Sequence, residues 1–194
     1  MNQEIQKKDN VNHPGHYAGQ GKVECIDFIA SVVNKYPGIL AGDLQNVCKY
    51  TWRSHNKNGK EDIDKASWYF NHAEKTYDSL MPEVRKQVQA FTQYPLFQIP
   101  NKDKVQQEGM AEVTKGMDLQ EKELYQRIMA GVNHFTDDYL RKRAKTALQE
   151  WSQSYENFQE MKLNAQKNPL EKQEKASKPK IIIHRVRSNK GLER

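Results

Sequence analysis

The chain has 194 residues, a formal net charge of +6, 36% hydrophobic residues and 29% charged ones. That length suits one ordinary domain with extensions or two small ones, and the lean apolar content confines the core to particular segments. No run approaches the roughly 18 apolar residues of a membrane span, and Met1 to Asn12 is polar throughout, so a cytoplasmic protein without anchor or signal peptide is expected.

The charge is uneven. Residues 168–194 hold eight Lys/Arg against three Glu, a net +5, which leaves +1 for the rest of the chain. A basic tail of this kind is more often a solvated flexible end than a nucleic-acid contact. The two cysteines, Cys25 and Cys48, fall among apolar helix positions and are expected as reduced, buried thiols.

Residues 1–11 read as a disordered lead. Asn12-His13-Pro14-Gly15-His16-Tyr17 is a turn-forming cluster, and Pro14 biases His13 toward an extended conformation, so a fixed loop is expected. Lys22 to Tyr36 reads as the first helix, with Cys25, Ile26, Phe28, Ile29, Val32 and Val33 as its apolar stripe and Pro37-Gly38 as its stop. Ile39 to Asp43 reads as a short connection. Leu44, Val47, Cys48, Thr51 and Trp52 form the buried face of a second helix. After a polar hinge, His55 to Gly59, a third helix runs from Lys60 to Leu80, with Trp68 and Tyr69 among the residues facing inward or toward a partner.

These three helices, residues 12–81, form a small bundle with one core. Residues 82–117 read as one more helix, Glu83 to Thr92, and a linker, because Gln93 to Gly116 contains Pro95, Pro100, Gly109 and a polar run. Residues 118–166 turn helical again, in two apolar sets whose stripes shift near Tyr139, so a bend is expected there. Such a seam needs a partner, either the first bundle or another subunit. Residues 167–194 form the basic tail, where Ile181 to Val186 has the pattern of a short strand or docking peptide. The fold class is therefore all-α: a three-helix bundle, a linker, a long helical extension and a flexible tail.

Neither the Gly-x-x-x-x-Gly-Lys-Ser/Thr phosphate loop nor Gly-x-Gly-x-x-Gly is present, which argues against the two common nucleotide-binding folds. A polar set remains. His13, His16 and Tyr17 lie on the loop; Asn46, Lys49 and Arg53 on the second helix; Lys57 at the hinge; Asp62, Lys65 and Tyr69 on the third helix. Lys49 and Arg53, four residues apart, repel unless an anion lies between them. Arg presents a planar fork that matches phosphate oxygens, and the start of the third helix offers free backbone N–H groups. The spacing is equally compatible with salt bridges from Lys49 and Arg53 to Asp62 or Glu24. Two acidic pairs, Glu24 with Asp27 and Glu61 with Asp64, permit a weaker third reading. Facing one another, they would hold Mg²⁺ against a triphosphate, as in all-α nucleotide pyrophosphohydrolases of the MazG and dimeric dUTPase type.

The order Asn12-His-Pro-Gly-His-Tyr17, Glu24-Cys-Ile-Asp27, Asn46-Val-Cys-Lys-Tyr50 with Arg53, Lys57-Asn-Gly59, then Glu61-Asp-Ile-Asp-Lys-Ala66 with Trp68-Tyr69 resembles a small tailed-phage protein family. That family was long catalogued as a domain of unknown function and includes a nucleotide kinase without a Walker loop that phosphorylates deoxynucleoside monophosphates. The resemblance covers roughly the first third of the chain, after the lead. It implies a nucleotide site built from His13, His16, Tyr17, Lys49, Arg53, Lys57, Asp62 and Lys65, with ATP or another nucleoside triphosphate as phosphate donor and Mg²⁺ as a possible companion. Two departures stand out: Gln45 occupies a position where the family commonly has Gly, and the stretch between Arg53 and Lys57 is His-containing and polar.

The expected function is phosphoryl transfer to a deoxynucleoside monophosphate. Lys49, Arg53 and Asp62 would be the catalytic groups, and Asn46 and Tyr69 would join the binding residues. A non-catalytic module that sequesters a nucleotide or docks on a host protein is the alternative, and a homo-oligomer is expected in either case.

Overall fold

The computed structural model describes residues 17, 23–93 and 98–176, with side chains as far as Asn157. The described residues are all-α, as expected, in the order α1 Cys25–Val33, α2 Gly38–Arg53, α3 Lys60–Ser79, α4 Pro82–Phe91, α5 Lys102–Val113, α6 Leu119–Asn133 and α7 Asp138–Ala176, with single 3-10 turns at Ser54–Asn56 and Thr114–Gly116. No helix among them is long and apolar enough to cross a membrane. Contacts divide the chain into one compact unit that ends at Glu156 and a second from Asn157 onward. In the second, residues 157–176 are helical. His13, His16 and the strand-like Ile181 to Val186 lie outside the described residues.

Local chemistry sets the boundaries. Gly59 enters α3 at φ +52°, a backbone conformation that glycine adopts without a Cβ penalty. Leu80 leaves α3 extended and Pro82 opens α4 at its first turn, where its missing N–H costs nothing. Asp118 and Glu121 close a capping box at the start of α6. Between α6 and α7 the chain turns at residues 134–137, and Asp137 accepts from the Leu140 N–H. The break therefore falls two residues before Tyr139, where the shift in apolar stripe indicated a bend.

Two expectations for local structure need correction. Ile39 to Asp43 is not a connection, since α2 already begins at Gly38. Pro37 is its extended N-cap, which fits a proline that starts a helix as well as one that ends it. The stretch read as a linker contains α5, whose Gly109 sits so close to α1 that a Cβ there would lie 2.5 Å from the Phe28 ring. Val105 and Met110 pack beside it. A glycine that reads as a breaker in sequence is here a point of close helix approach.

The core does not stop at residue 81. Phe28, Val32, Leu44, Val47, Ile63 and Phe70 from the first three helices share one buried cluster with Leu124, Ile128, Val132, Leu148 and Trp151 from α6 and α7. Tyr36 ties the parts together: its hydroxyl donates toward the Val132 and Asn133 carbonyls and accepts from the Phe135 N–H. Phe135 meets Phe70 and Tyr77 edge to face. The apolar seam of α6 and α7, up to Glu156, is thus covered by the first bundle. An uncovered stripe in that stretch no longer argues for an oligomer. Cys25 and Cys48 are free and buried, as expected, and burial pushes both thiols well up from their ordinary pKa.

Candidate functional site

The polar residues converge on the antiparallel hairpin of α2 and α3. Three cross-helix pairs link it in reverse order along the two chains: Arg53 to Asp62 at the hinge, Tyr50 to Tyr69 in the middle, and Asp43 to His72 at the far end. The buried seam beneath them holds Leu44, Val47, Cys48, Ile63, Ala66 and Phe70. The pairs are therefore held by a packed interface and not by mobile loops.

The Arg53 pair answers the question raised by the two cations. Asp62 is fully buried, and its carboxylate accepts from Arg53 Nε at 3.1 Å and Nη2 at 2.9 Å, the bidentate fork of an arginine–carboxylate pair. The third arm, Nη1, donates to the Tyr17 hydroxyl at 2.7 Å. The Asn58 N–H also reaches Asp62, at 3.4 Å. Burial opposes the arginine's charge, but the hydrogen bonds and charge of Asp62 outweigh it and raise the Arg53 pKa. The anion that the cations and the start of α3 demand is therefore supplied by the protein. For Arg53 the salt-bridge reading of the spacing is the one realised.

Lys49 stands differently. Its Nζ lies 4.7 Å from the centroid of Tyr50, and among the described residues it makes no ion pair. Burial, then the neighbouring Arg53 charge, lowers its pKa. The Arg53 guanidinium covers the same Tyr50 ring at 4.7 Å, and the Lys65 ammonium approaches it at 5.8 Å. Lys65 is also bound to Glu61 one turn back. Tyr50 stacks on Tyr69 at 5.7 Å with an 18° tilt, Tyr69 meets Trp68 edge to face at 4.9 Å, and Trp68 stacks on His72 at 5.3 Å with a 5° tilt. The result is a run of aromatic rings along α3, fringed by cations, whose outermost member, Trp68, is 60% exposed.

The remaining expected residues fall as follows. Tyr17 is held twice: its hydroxyl takes the Arg53 bond, and its carbonyl accepts from the Cys25 N–H at the start of α1. Asn46 spends its amide on the Gly42 carbonyl of its own helix. Lys57 is exposed at the hinge. The acidic pairs do not converge. Asp64 is held by Lys60 and by the Ser152 hydroxyl, Glu61 by Lys65, and Asp27 lines a cleft between α1 and α5 with Lys104 and Glu108. Among the described residues, no three His, Cys, Asp or Glu side chains gather closely enough to hold a metal ion. A divalent cation would have to displace lysines from Glu61 and Asp64 before either could coordinate it.

Four members of this face were absent from the expected site. Tyr50 lies inside the recognised motif but reads as a helix residue with no chemistry of its own. Trp68 reads as facing inward or toward a partner, and of the two the inward placement is excluded, since it is the most exposed ring of the run. Asp43 reads as part of a connection and His72 as a helix-face residue. The signal that joins them is the hairpin itself. Once Arg53 pairs with Asp62, stepping back ten residues on α2 and forward ten on α3 brings Asp43 to His72.

Comparison with known proteins is sparse. No curated protein and no solved structure matches the chain. Residues 11–71, which include Tyr17, α1, α2 and the first part of α3, match the family model described as a protein of unknown function, so the chain contains a DUF3310 domain.

Proposed function

We propose that the α2–α3 face binds a nucleoside phosphate and that the protein transfers a phosphoryl group to a deoxynucleoside monophosphate at that site, without a phosphate loop. The observation that carries the binding is the aromatic run fringed by cations. A base stacks on the exposed Trp68 ring, a contact every nucleobase can make. Lys49, which makes no ion pair among the described residues, meets the phosphate. Lys65 and Lys57 add charge at the edge. Neutralising and positioning phosphates is most of what phosphoryl transfer asks of a protein.

Within this reading the roles shift. Arg53 and Asp62 saturate one another, so they shape the site and leave contact with the phosphate to Lys49. A second reading, sequestration of a nucleotide without transfer, is favoured by that same saturation, because it removes two of the three groups expected to act on the phosphate. The hydrolase reading has the least support, since lysines hold Glu61 and Asp64 and no three His, Cys, Asp or Glu side chains gather for a metal ion among the described residues.

One assay separates the readings. Purified protein is incubated with dTMP or dGMP plus ATP, with and without Mg²⁺, and the nucleotides are resolved by chromatography. Deoxynucleoside diphosphate is the expected product. Tight binding without product selects sequestration, and loss of pyrophosphate from a triphosphate selects the hydrolase. Neither binding nor turnover by folded protein refutes the proposal.

A further inference from the structure

The Asp43–His72 pair belongs to neither the expected site nor the core. Asp43's side chain is only 5% exposed, and its partner in the structure is His72, whose Nδ1 lies 2.7 Å from the carboxylate. A carboxylate only accepts, so Nδ1 carries the proton. In the neutral ring the lone pair then sits on Nε2, on the side of the ring away from Asp43. The His72 side chain is 44% exposed. Its ring is fixed on two sides, by the carboxylate at Nδ1 and by the Trp68 ring stacked parallel to it at 5.3 Å. A buried carboxylate that orients an imidazole with its second nitrogen open is the arrangement that makes histidine a nucleophile.

We propose that His72 is a phosphoryl-accepting residue, with Asp43 as its positioning residue: Nε2 takes a phosphoryl group from a nucleoside triphosphate and passes it to a nucleoside monophosphate. The inference rests on the reading of this face as a nucleotide site. It adds a reason why the described face, with Trp68 as its one large exposed ring, can serve both nucleotides. If donor and acceptor use the same platform in turn, the phosphoryl group must wait on the protein between them.

The step balances. The Nε2 lone pair attacks the terminal phosphorus, the N–P bond forms, and the bond from that phosphorus to the bridging oxygen breaks, releasing the nucleoside diphosphate. The ring, protonated at Nδ1 and phosphorylated at Nε2, becomes cationic, and the Asp43 carboxylate 2.7 Å away balances that charge. After exchange of nucleotides, a phosphate oxygen of the monophosphate attacks the same phosphorus. The N–P bond breaks, its electron pair returns to Nε2, and a second diphosphate leaves. The Nδ1 proton stays on the Asp43 hydrogen bond throughout. Lys75, exposed one turn beyond His72 on α3, adds a cation on the approach.

The test uses the full chain and ATP labelled in its terminal phosphate. After a rapid quench in detergent, the protein is expected to carry label that is lost in acid and kept in alkali, the signature of phosphohistidine. Adding dTMP or dGMP should chase the label into the diphosphate. His72→Gln should carry none, and Asp43→Asn at least tenfold less than the parent. Binding of dTMP by the parent protein is followed through tryptophan fluorescence, so that loss of label and loss of the nucleotide site are read separately. Should either variant fail to fold, the labelled peptide of the parent protein is mapped by mass spectrometry and must contain His72. Unlabelled protein that still makes diphosphate, label that survives in His72→Gln, or label mapped elsewhere overturns the relay and leaves the binding face standing. Protein that neither binds dTMP nor takes label overturns both.

Discussion

Replacing Asp62 with alanine removes the group on which the hinge end of the hairpin depends. Three donors lose their acceptor at once: Arg53 Nε, Arg53 Nη2 and the Asn58 N–H. Arg53 keeps Tyr17 and the Tyr50 face, but it remains 9% exposed with a charge and no counter-ion. Breaking a buried ion pair by deleting one partner costs about 3–5 kcal/mol. For a chain of this size each kcal/mol moves the melting midpoint by about 2–4 °C, so a drop of about 10 °C is expected. Thermal melts followed by circular dichroism, with urea melts for the free energy, measure it. Asp62→Asn, which keeps the shape and one acceptor, should lie between the alanine variant and the parent. Lys49→Ala, at a half-buried position with no ion pair among the described residues, should stay within about 1 kcal/mol of the parent. An Asp62→Ala protein that melts within about 2 °C of the parent would refute the structural role of the pair. The argument also bears on function, because an Arg53→Ala protein loses fold and activity together, whereas Lys49→Ala tests the phosphate contact alone.

Two further predictions concern the core and one buried charge. Lys35 is 7% exposed, donates to the Asn133 amide oxygen, and has its pKa lowered to about 8 by burial and then by the nearby Lys102. Above about pH 8 the folded state releases a proton that the unfolded chain holds to about pH 10.4, so this residue makes stability rise with pH across that window. Lys35→Met should raise the midpoint at pH 7, with the gain shrinking between pH 8 and 10.4 in parallel melts. At Gly131 an added Cβ would collide with the Ala144 Cβ and lie 2.7 Å from the Leu140 carbonyl oxygen. Gly131→Ala should therefore separate α6 from α7 and cost about 1–3 kcal/mol, read from urea melts.

The helices were legible where a wide apolar stripe met a clear stop, as in α1, α3 and the pair α6–α7. α5 was not, because its sequence is polar and its packing runs through a glycine and a few side chains against α1, so neither periodicity nor propensity marks it. Pro37-Gly38 was ambiguous, since a dipeptide that reads as the stop of the first helix lies beyond the end of α1 at Val33 and instead caps and begins α2. At the site, Lys49, Arg53 and Asp62 could be singled out from residue type and spacing, but the choice between ion pair and phosphate clamp could not. That choice depends on whether Asp62 faces inward, and a register of one position on α3 decides it. For Trp68 hydrophobicity left an inward or a partner-facing placement open, and here the inward positions are taken by Ala66 and Phe70. His72 gained meaning only through Asp43, across the hairpin.

The central claim is that the cation-fringed aromatic face of α2 and α3 binds a nucleotide. Its most direct test is calorimetric titration of dTMP and dGMP into the parent protein, Lys49→Ala and Trp68→Ala, all shown to be folded by their melts. Saturable binding by the parent, weakened at least tenfold in each variant, is the predicted result. Variants that bind as tightly as the parent, or a folded parent that binds neither nucleotide, would contradict it.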